Sequence, residues 1–222
     1  MFTIRTVLDE KLSHLDNNLL KIGSLSETAV EEAMSALSRY DVAAAQRVAA
    51  GDAHINALFY EIKQDCLLIL ATQNPTASDL RRVLAVLSIA TDLERIGDHA
   101  AGIARLIDRF DQDVPVYTLH QLPKMANRAR KMMRQSLQAF INRDIERAHK
   151  VIKRDDKLDR QYETFANLLM DEMNQSDQHT QVILPTYLLW IGHKLERIGD
   201  HVTNIAEQVI FVVTGAINPT EQ

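Results

Sequence analysis

A glutamate and an aspartate four residues apart occur twice in this chain of 222 residues, at Glu94 and Asp98 and at Glu196 and Asp200. Both pairs lie inside the same seven letters, LERIGDH. On a helix such residues share one face a turn apart, where two carboxylates repel. The segment also places a glycine inside a helical pattern, at about 1 kcal/mol relative to alanine. Neither feature favours a helix, so their repetition points to chemistry.

The preceding stretch of each half adds Asp52 and Asn56, or Asp155 and Asp159, again at i and i+4. In an antiparallel hairpin, residues equidistant from the turn face one another. Asp52 with Asp98, and Asn56 with Glu94, share a midpoint at residue 75. Asp155 with Asp200, and Asp159 with Glu196, share one between residues 177 and 178. Each set of four therefore lies at one level, about 35 Å from its turn at 1.5 Å per residue. Carboxylates gathered this way need either protons or a cation. Oxygen-rich clusters on facing helices suit Mg²⁺, Ca²⁺ or Mn²⁺, and iron as well. The competing reading pairs each acid with a neighbouring arginine, Arg95 or Arg197, on a solvated surface. The matched positions in both halves favour a metal or anion-linked site.

His99 and His201 follow the two motifs, and His54 lies between Asp52 and Asn56. All three are candidates for orienting the acids by hydrogen bonds. Gly97 and Gly199 lie on the apolar stripe, where a missing side chain lets a neighbouring helix come close. There is no P-loop, G-x-S-x-G, H-E-x-x-H or E-x-x-H pattern, so no catalytic residue is assigned.

The elements that position these residues are helices. Apolar residues recur at helical spacing, as in Leu93, Ile96, Ala100, Ile103 and Ile107, and no run alternates like a half-buried strand. Six long helices are expected. The first runs from Thr3 to Tyr40 and the second, capped by Asp41, ends near Thr72. Asn74-Pro75 breaks the chain. Thr76 and Asp79 have capping-box spacing for a third helix ending near Phe110. The stretch DQDVP, Asp111 to Pro115, marks a boundary between residues 1–112 and 113–222. The second half repeats the plan: Leu119 to Asn142, Asp144 to Asn174, and His179 to Thr214, stopped by Gly215 and Pro219. Pro185 implies a late start or a kink in the last helix. Asp41 and Asp144 are 103 positions apart and the LERIGDH copies 102. The chain is thus an internal duplication of a three-helix bundle.

Composition is consistent with this all-α expectation. Hydrophobic residues make up 46% of the chain, with only seven glycines and five prolines. The first residues lack the apolar core of a signal peptide and no stretch suits a membrane span, so a soluble intracellular protein is expected. The one cysteine, Cys66, sits among Leu67, Leu68 and Ile69 as a reduced core thiol. A net charge of −5 argues against nucleic-acid binding. Lys124 to Arg160 nonetheless carries 12 Lys or Arg against 5 Asp or Glu. That excess is expected to form a solvated helix face, the sharper alternative being a docking surface for an acidic partner or membrane headgroups.

Over essentially its whole length the chain resembles the PhoU family of phosphate-uptake regulators. The residues that carry the resemblance are QNPTASDLR at Gln73 to Arg81, DLERIGDHAAGIA at Asp92 to Ala104, and ERIGDHVTNIAEQV followed by Gly215. It implies two tandem three-helix bundles related by pseudo-twofold symmetry, with E(D)-x-x-x-D motifs holding metal clusters of iron, zinc, magnesium or manganese. The ligands it implies are Asp52, Glu94 and Asp98 in the first copy and Asp155, Asp159, Glu196 and Asp200 in the second. Asn56 departs from the pattern, and its neutral amide makes the first site the weaker one. The resemblance further implies a cytoplasmic, non-enzymatic negative regulator of the phosphate-starvation response. Such an adaptor links the ATP-binding subunit of a phosphate ABC transporter to a sensor histidine kinase, and reaches the membrane only through those partners. Homodimerisation stays open. The rival readings are a carboxylate-bridged metal-dependent hydrolase or oxidase, and a passive helical scaffold.

Overall fold

The structure, a computed structural model, describes residues 2–110, 118–174 and 182–216. Its helices are α1 (Phe2–Arg39), α2 (Val42–Gln73), α3 (Ala77–Ile107), α4 (Thr118–Asn142), α5 (Ile145–Asn174) and α6 (Ile183–Thr214). The DQDVP boundary, the turn at Ser176 to Gln178, the helix start at His179 and Pro219 lie outside the described residues.

The two α-hairpin turns are built alike. Tyr40 (φ 51°) and Arg143 (φ 54°) take the left-handed conformation. The following N–H groups, of Asp41 and Asp144, then reach back to Ala36 O and Ala139 O, both at 2.9 Å. Each aspartate goes on to cap the next helix. Asp41 Oδ1 accepts from Ala44 N at 2.8 Å and Asp144 Oδ1 from Arg147 N at 2.9 Å. The duplication therefore extends to individual hydrogen bonds that satisfy the first-turn donors.

Two helix ends differ from expectation. At Thr76 the side chain makes no capping bond. Ala77 turns at φ 39° and Asp79 N instead bonds to Thr76 O at 2.9 Å, so the backbone closes the first turn. Helix α3 stops at Ile107 rather than Phe110, because Arg109 N and Phe110 N reach only the i−3 carbonyls of Leu106 and Ile107. As expected, α6 starts late. Ile183 opens it, so Pro185 falls in the first turn, where a missing N–H leaves no helical bond unmade.

Helices α1, α2 and α3 pack together, as do α4, α5 and α6, and α3 against α6 and α1 against α4 join the two bundles. The buried apolar residues form one continuous core. Helices α3 and α6 run antiparallel, since Arg81 near the start of α3 donates to Val212 O near the end of α6 at 3.4 Å. The two helices meet at His99 and His201, whose rings lie 5.5 Å apart.

Along the α1–α4 seam Arg130, largely buried, reaches Glu27 at 3.1 Å and Glu31 at 2.6 Å, and Arg134 reaches Glu27 at 3.3 Å. The basic excess of α4 and α5 is thus partly spent on holding the bundles together, and Lys150 with Glu146 supplies an i,i+4 pair at 3.8 Å. Cys66 is buried, and burial, then the charge of Asp65, pushes its thiol up to about 12, which keeps it protonated.

Replacing either capping aspartate, Asp41→Ala or Asp144→Ala, is expected to lower stability by about 1 kcal/mol. The distant pair should add to within a few tenths, as read from the midpoint of urea unfolding.

Candidate metal centre

Each acidic set is assembled by a close helix contact that only glycine permits. A Cβ placed on Gly97 would lie 2.8 Å from Ile55 Cδ1 and 3.5 Å from Asp52 Oδ1. On Gly199 it would lie 2.5 Å from Leu158 Cδ2 and 2.7 Å from Asp155 Oδ1. The glycine thus packs its hairpin and admits the facing aspartate in one stroke.

The predicted acids influence one another electrostatically in both copies, but among the described residues no three of them bring ligand atoms within 4.8 Å of one another. In the first, burial and then Asp98 raise the pKa of Asp52, and burial, Asp98 and to a lesser degree Asp52 raise that of Glu94. Asn56 donates to Asp52 Oδ2 at 3.2 Å. In the second, the Asp155 carboxyl is pushed up to about 6. Burial is the main cause, the Thr203 hydrogen bond opposes it, and the charges of Asp159, Asp200 and Glu196 add to it. Asp159 and Glu196 rise too, through burial and then Asp200. Burial is the main cause at each acid, and the repulsion of neighbouring carboxylates adds to it.

The outer acids are partly neutralised by the arginines inside the motif. Arg95 bonds to Asp98 at 3.2 Å and Arg197 to Asp200 at 2.6 Å. Glu196 Oε2 lies 3.2 Å from His193 Nδ1. The inner oxygens are different. Seven buried side-chain polar atoms among the described residues lack a hydrogen-bond partner, and four belong to the predicted ligand set: Asp52 Oδ1, Asn56 Oδ1, Asp155 Oδ1 and Glu196 Oε2, the last still within ion-pair reach of His193. Leaving such an atom unsatisfied costs about 1–3 kcal/mol, which a hard cation would offset. An all-oxygen donor set, three buried oxygens with neither a hydrogen bond nor an ion pair, and two glycine cradles fit a bound metal ion.

The histidines divide. His54 is exposed, and its two-residue spacing from Asp52 and Asn56 turns it to the other side of the helix. His201 Nδ1 meets Asp92 Oδ1 at 2.9 Å, linking α6 to α3. His99 is held neutral, its pKa lowered to about 4 by burial and by His201 and Lys194. Both belong to the contact between bundles.

Sequence reasoning missed the tightest ligand-like group. His14, Glu61 and Asp65 have ligand atoms all within 4.8 Å, the one such triad among the described residues. His14 Nε2 lies 3.4 Å from Asp65 Oδ2, and buried Asn18 donates to Glu61 at 3.2 Å. Only the i,i+4 spacing of Glu61 and Asp65 was available to signal it, since His14 arrives from another helix.

Residues 19–107 and 122–209 each match the family profile described as the PhoU domain. The chain belongs to the PhoU family. A relative from Clostridium acetobutylicum described as a phosphate-specific transport system accessory protein PhoU homolog is 34% identical over 95% of this chain and 96% of its own. The crystal structure of PhoU from Pseudomonas aeruginosa superposes with a TM-score of 0.88 at 33% identity, covering 94% of this chain and 99% of that one. The phosphate transport system regulatory protein PhoU from Streptococcus pneumoniae gives 0.88 at 28% identity, over 95% and 99%. The six-helix, two-repeat PhoU architecture is therefore that of this chain. Among the described residues no helix is long and apolar enough to cross a membrane.

A carboxyl raised by burial destabilises the folded state once it ionises. With Asp155 near 6 when folded and about 3.9 when unfolded, its neutral form favours folding below about pH 4, and that advantage disappears as pH rises through 6. In chelator-treated protein, wild type should lose stability relative to Asp155→Asn between pH 4 and 7, measured by urea unfolding at each pH.

Proposed function

We propose that this chain is a non-enzymatic accessory protein of a phosphate-specific transport system that binds metal ions at its two LERIGDH ledges and restrains the phosphate-starvation response. In that role it links the ATP-binding subunit of the transporter to a sensor histidine kinase. Membership of the PhoU family and the names carried by its full-length relatives support the transport association. The metal assignment rests on one observation: four of the seven buried polar atoms without a hydrogen bond among the described residues sit on the predicted ligands.

Asp155, Asp159, Glu196 and Asp200 would hold metal in the second site, and Asp52, Asn56, Glu94 and Asp98 in the first. A bound cation supplies positive charge that removes the repulsion within each cluster and fixes α2 to α3 or α5 to α6. The chain's own residues do the rest. Thr203 donates to Asp155 Oδ2 at 3.0 Å and keeps that carboxylate aimed inward, while Arg95 and Arg197 offset the outer acids. The amide of Asn56 carries no charge, so the first site is the weaker. Cation-bridged ledges on a rigid bundle suit regulated protein docking, since hydrolysis or oxidation would also need a placed general base or an open reaction pocket.

Elemental analysis after dialysis against iron, zinc, magnesium or manganese should find metal in wild type and none in Asp98→Ala with Asp200→Ala. Gly199→Ala should empty the second site alone while leaving helix content unchanged, because its Cβ displaces Asp155. Asn56→Asp should raise occupancy of the first site. Equal metal in all variants, or none in any, would sink the metal assignment. Binding of the purified transporter ATPase subunit, measured by interferometry with metal controlled, tests the transport reading separately. No binding under any metal condition would sink that part.

A further inference from the structure

The duplication makes each residue of the first half comparable with the one 102 positions later. Around the α3–α6 contact this comparison exposes a reversal of charge. Asp92 corresponds to Lys194, Arg105 to Glu207 and Gly102 to Asn204. On one side of the contact, Asp92 accepts from Asn204 at 3.2 Å and pairs with His201. Burial and Asp92 also raise the pKa of Glu207. That side is acidic and filled.

On the related side Lys194 lies over Gly102, where a Cβ would come within 2.8 Å of Nζ. The absent side chain helps leave a groove of about 650 Å³, lined by Arg105, Arg109 and Lys194 together with Trp190, Gly102 and Asp98. Among the described residues none of these three cations makes a salt bridge, whereas Asp98 is held by Arg95. Exposed Arg105 and Arg109 and half-buried Lys194 bring three positive charges to a groove whose lining carries one carboxylate, Asp98, and a bound anion offsets that excess. Guanidinium groups offer paired donors matched to phosphate oxygens, and an ammonium adds a point charge. Trp190, 48% exposed at the edge, packs against Tyr187 with ring centroids 5.7 Å apart and offers the rest of its indole to a stacked ring. The volume is that of a small-molecule pocket.

We infer that this groove binds a phosphorylated small anion, its phosphates held by Arg105, Arg109 and Lys194 and an attached ring stacked on Trp190. The site needs no metal and is independent of the transport reading. Its location beside Asp98 and Arg105, the arginine whose charge acts on Asp52, couples an occupant to the first acidic ledge.

Trp190 is the chain's single tryptophan, so its emission reports the groove directly. Full-length, chelator-treated protein at fixed ionic strength would be titrated with inorganic phosphate, pyrophosphate and ADP. Excitation would be at the red edge of the indole band, with calorimetry in parallel. ADP should give a saturable change and bind more tightly than pyrophosphate. Lys194→Asp with Arg105→Glu, which installs the residues of the related positions, should weaken ADP by roughly ten-fold or more. Gly102→Asn should weaken it by filling the groove, and Trp190→Phe should reduce the advantage of ADP over pyrophosphate in calorimetry. Circular dichroism of each variant checks the fold, and Gly102→Asn keeps the test open if the charge variant unfolds. No saturable response to any of the three, or equal ADP affinity in folded charge-reversed protein, would overturn the site. ADP binding no tighter than pyrophosphate would overturn the role of Trp190. A response only to a polyglutamate peptide would overturn the small-anion assignment in favour of an acidic protein segment.

Discussion

Close approach at Gly97 and Gly199 is the contact on which the rest depends. A helix–helix interface buries apolar surface most densely when backbones come near, and here the same approach carries Asp52 and Asp155 over the facing helix. Packing and charge are therefore opposed at one place. Leu158 and Ile55 fill the interface while the aspartates beside them lose solvation and lean on other acids. The fold tolerates this because the outer carboxylates find arginines within their own motif, leaving the unsatisfied inner oxygens as the remaining source of tension.

That tension distinguishes the proposed metal ledges from ordinary surface charge. Exposed ion pairs such as Lys150 with Glu146 contribute little and ask for nothing further. Buried oxygens without a partner are a standing demand for a donor or a cation. The two copies meet it unequally. Thr203 answers part of it at Asp155, and the amide of Asn56 answers part of it at Asp52.

The contact between bundles shows what a duplicated sequence can do once its copies diverge. An antiparallel crossing with His99 against His201 places equivalent residues on opposite sides of a local twofold axis. Substituting at related positions then differentiates two faces without altering the backbone. Asp92 with Asn204 closes one face, and Lys194 over Gly102 opens the other. The clasp of Arg130 and Arg134 onto Glu27 and Glu31 holds the bundles in the register that keeps those faces distinct.

Whatever depends on neighbours along the chain could be read from the letters. The helical periods, the aspartate caps of α2 and α5, the break at Asn74-Pro75, the late start at Pro185 and the duplication are of this kind, because each is decided within a few residues or by a fixed offset. The acidic sets could be placed too, since two straight helices joined by a tight turn bring equidistant residues to one level. The resemblance to PhoU proteins rested on the same local motifs. Other features needed the third dimension. Thr76 lost its capping role to the backbone turn at Ala77, and His54 faced away from Asp52 and Asn56, only two positions on either side. Arginines of α4 were drawn to α1, and His14 met Glu61 and Asp65 from a different helix. Periodicity fixes which face of a helix a residue occupies. Only packing decides what that face meets, because burial, partner and field at each side chain are set by residues remote in the chain.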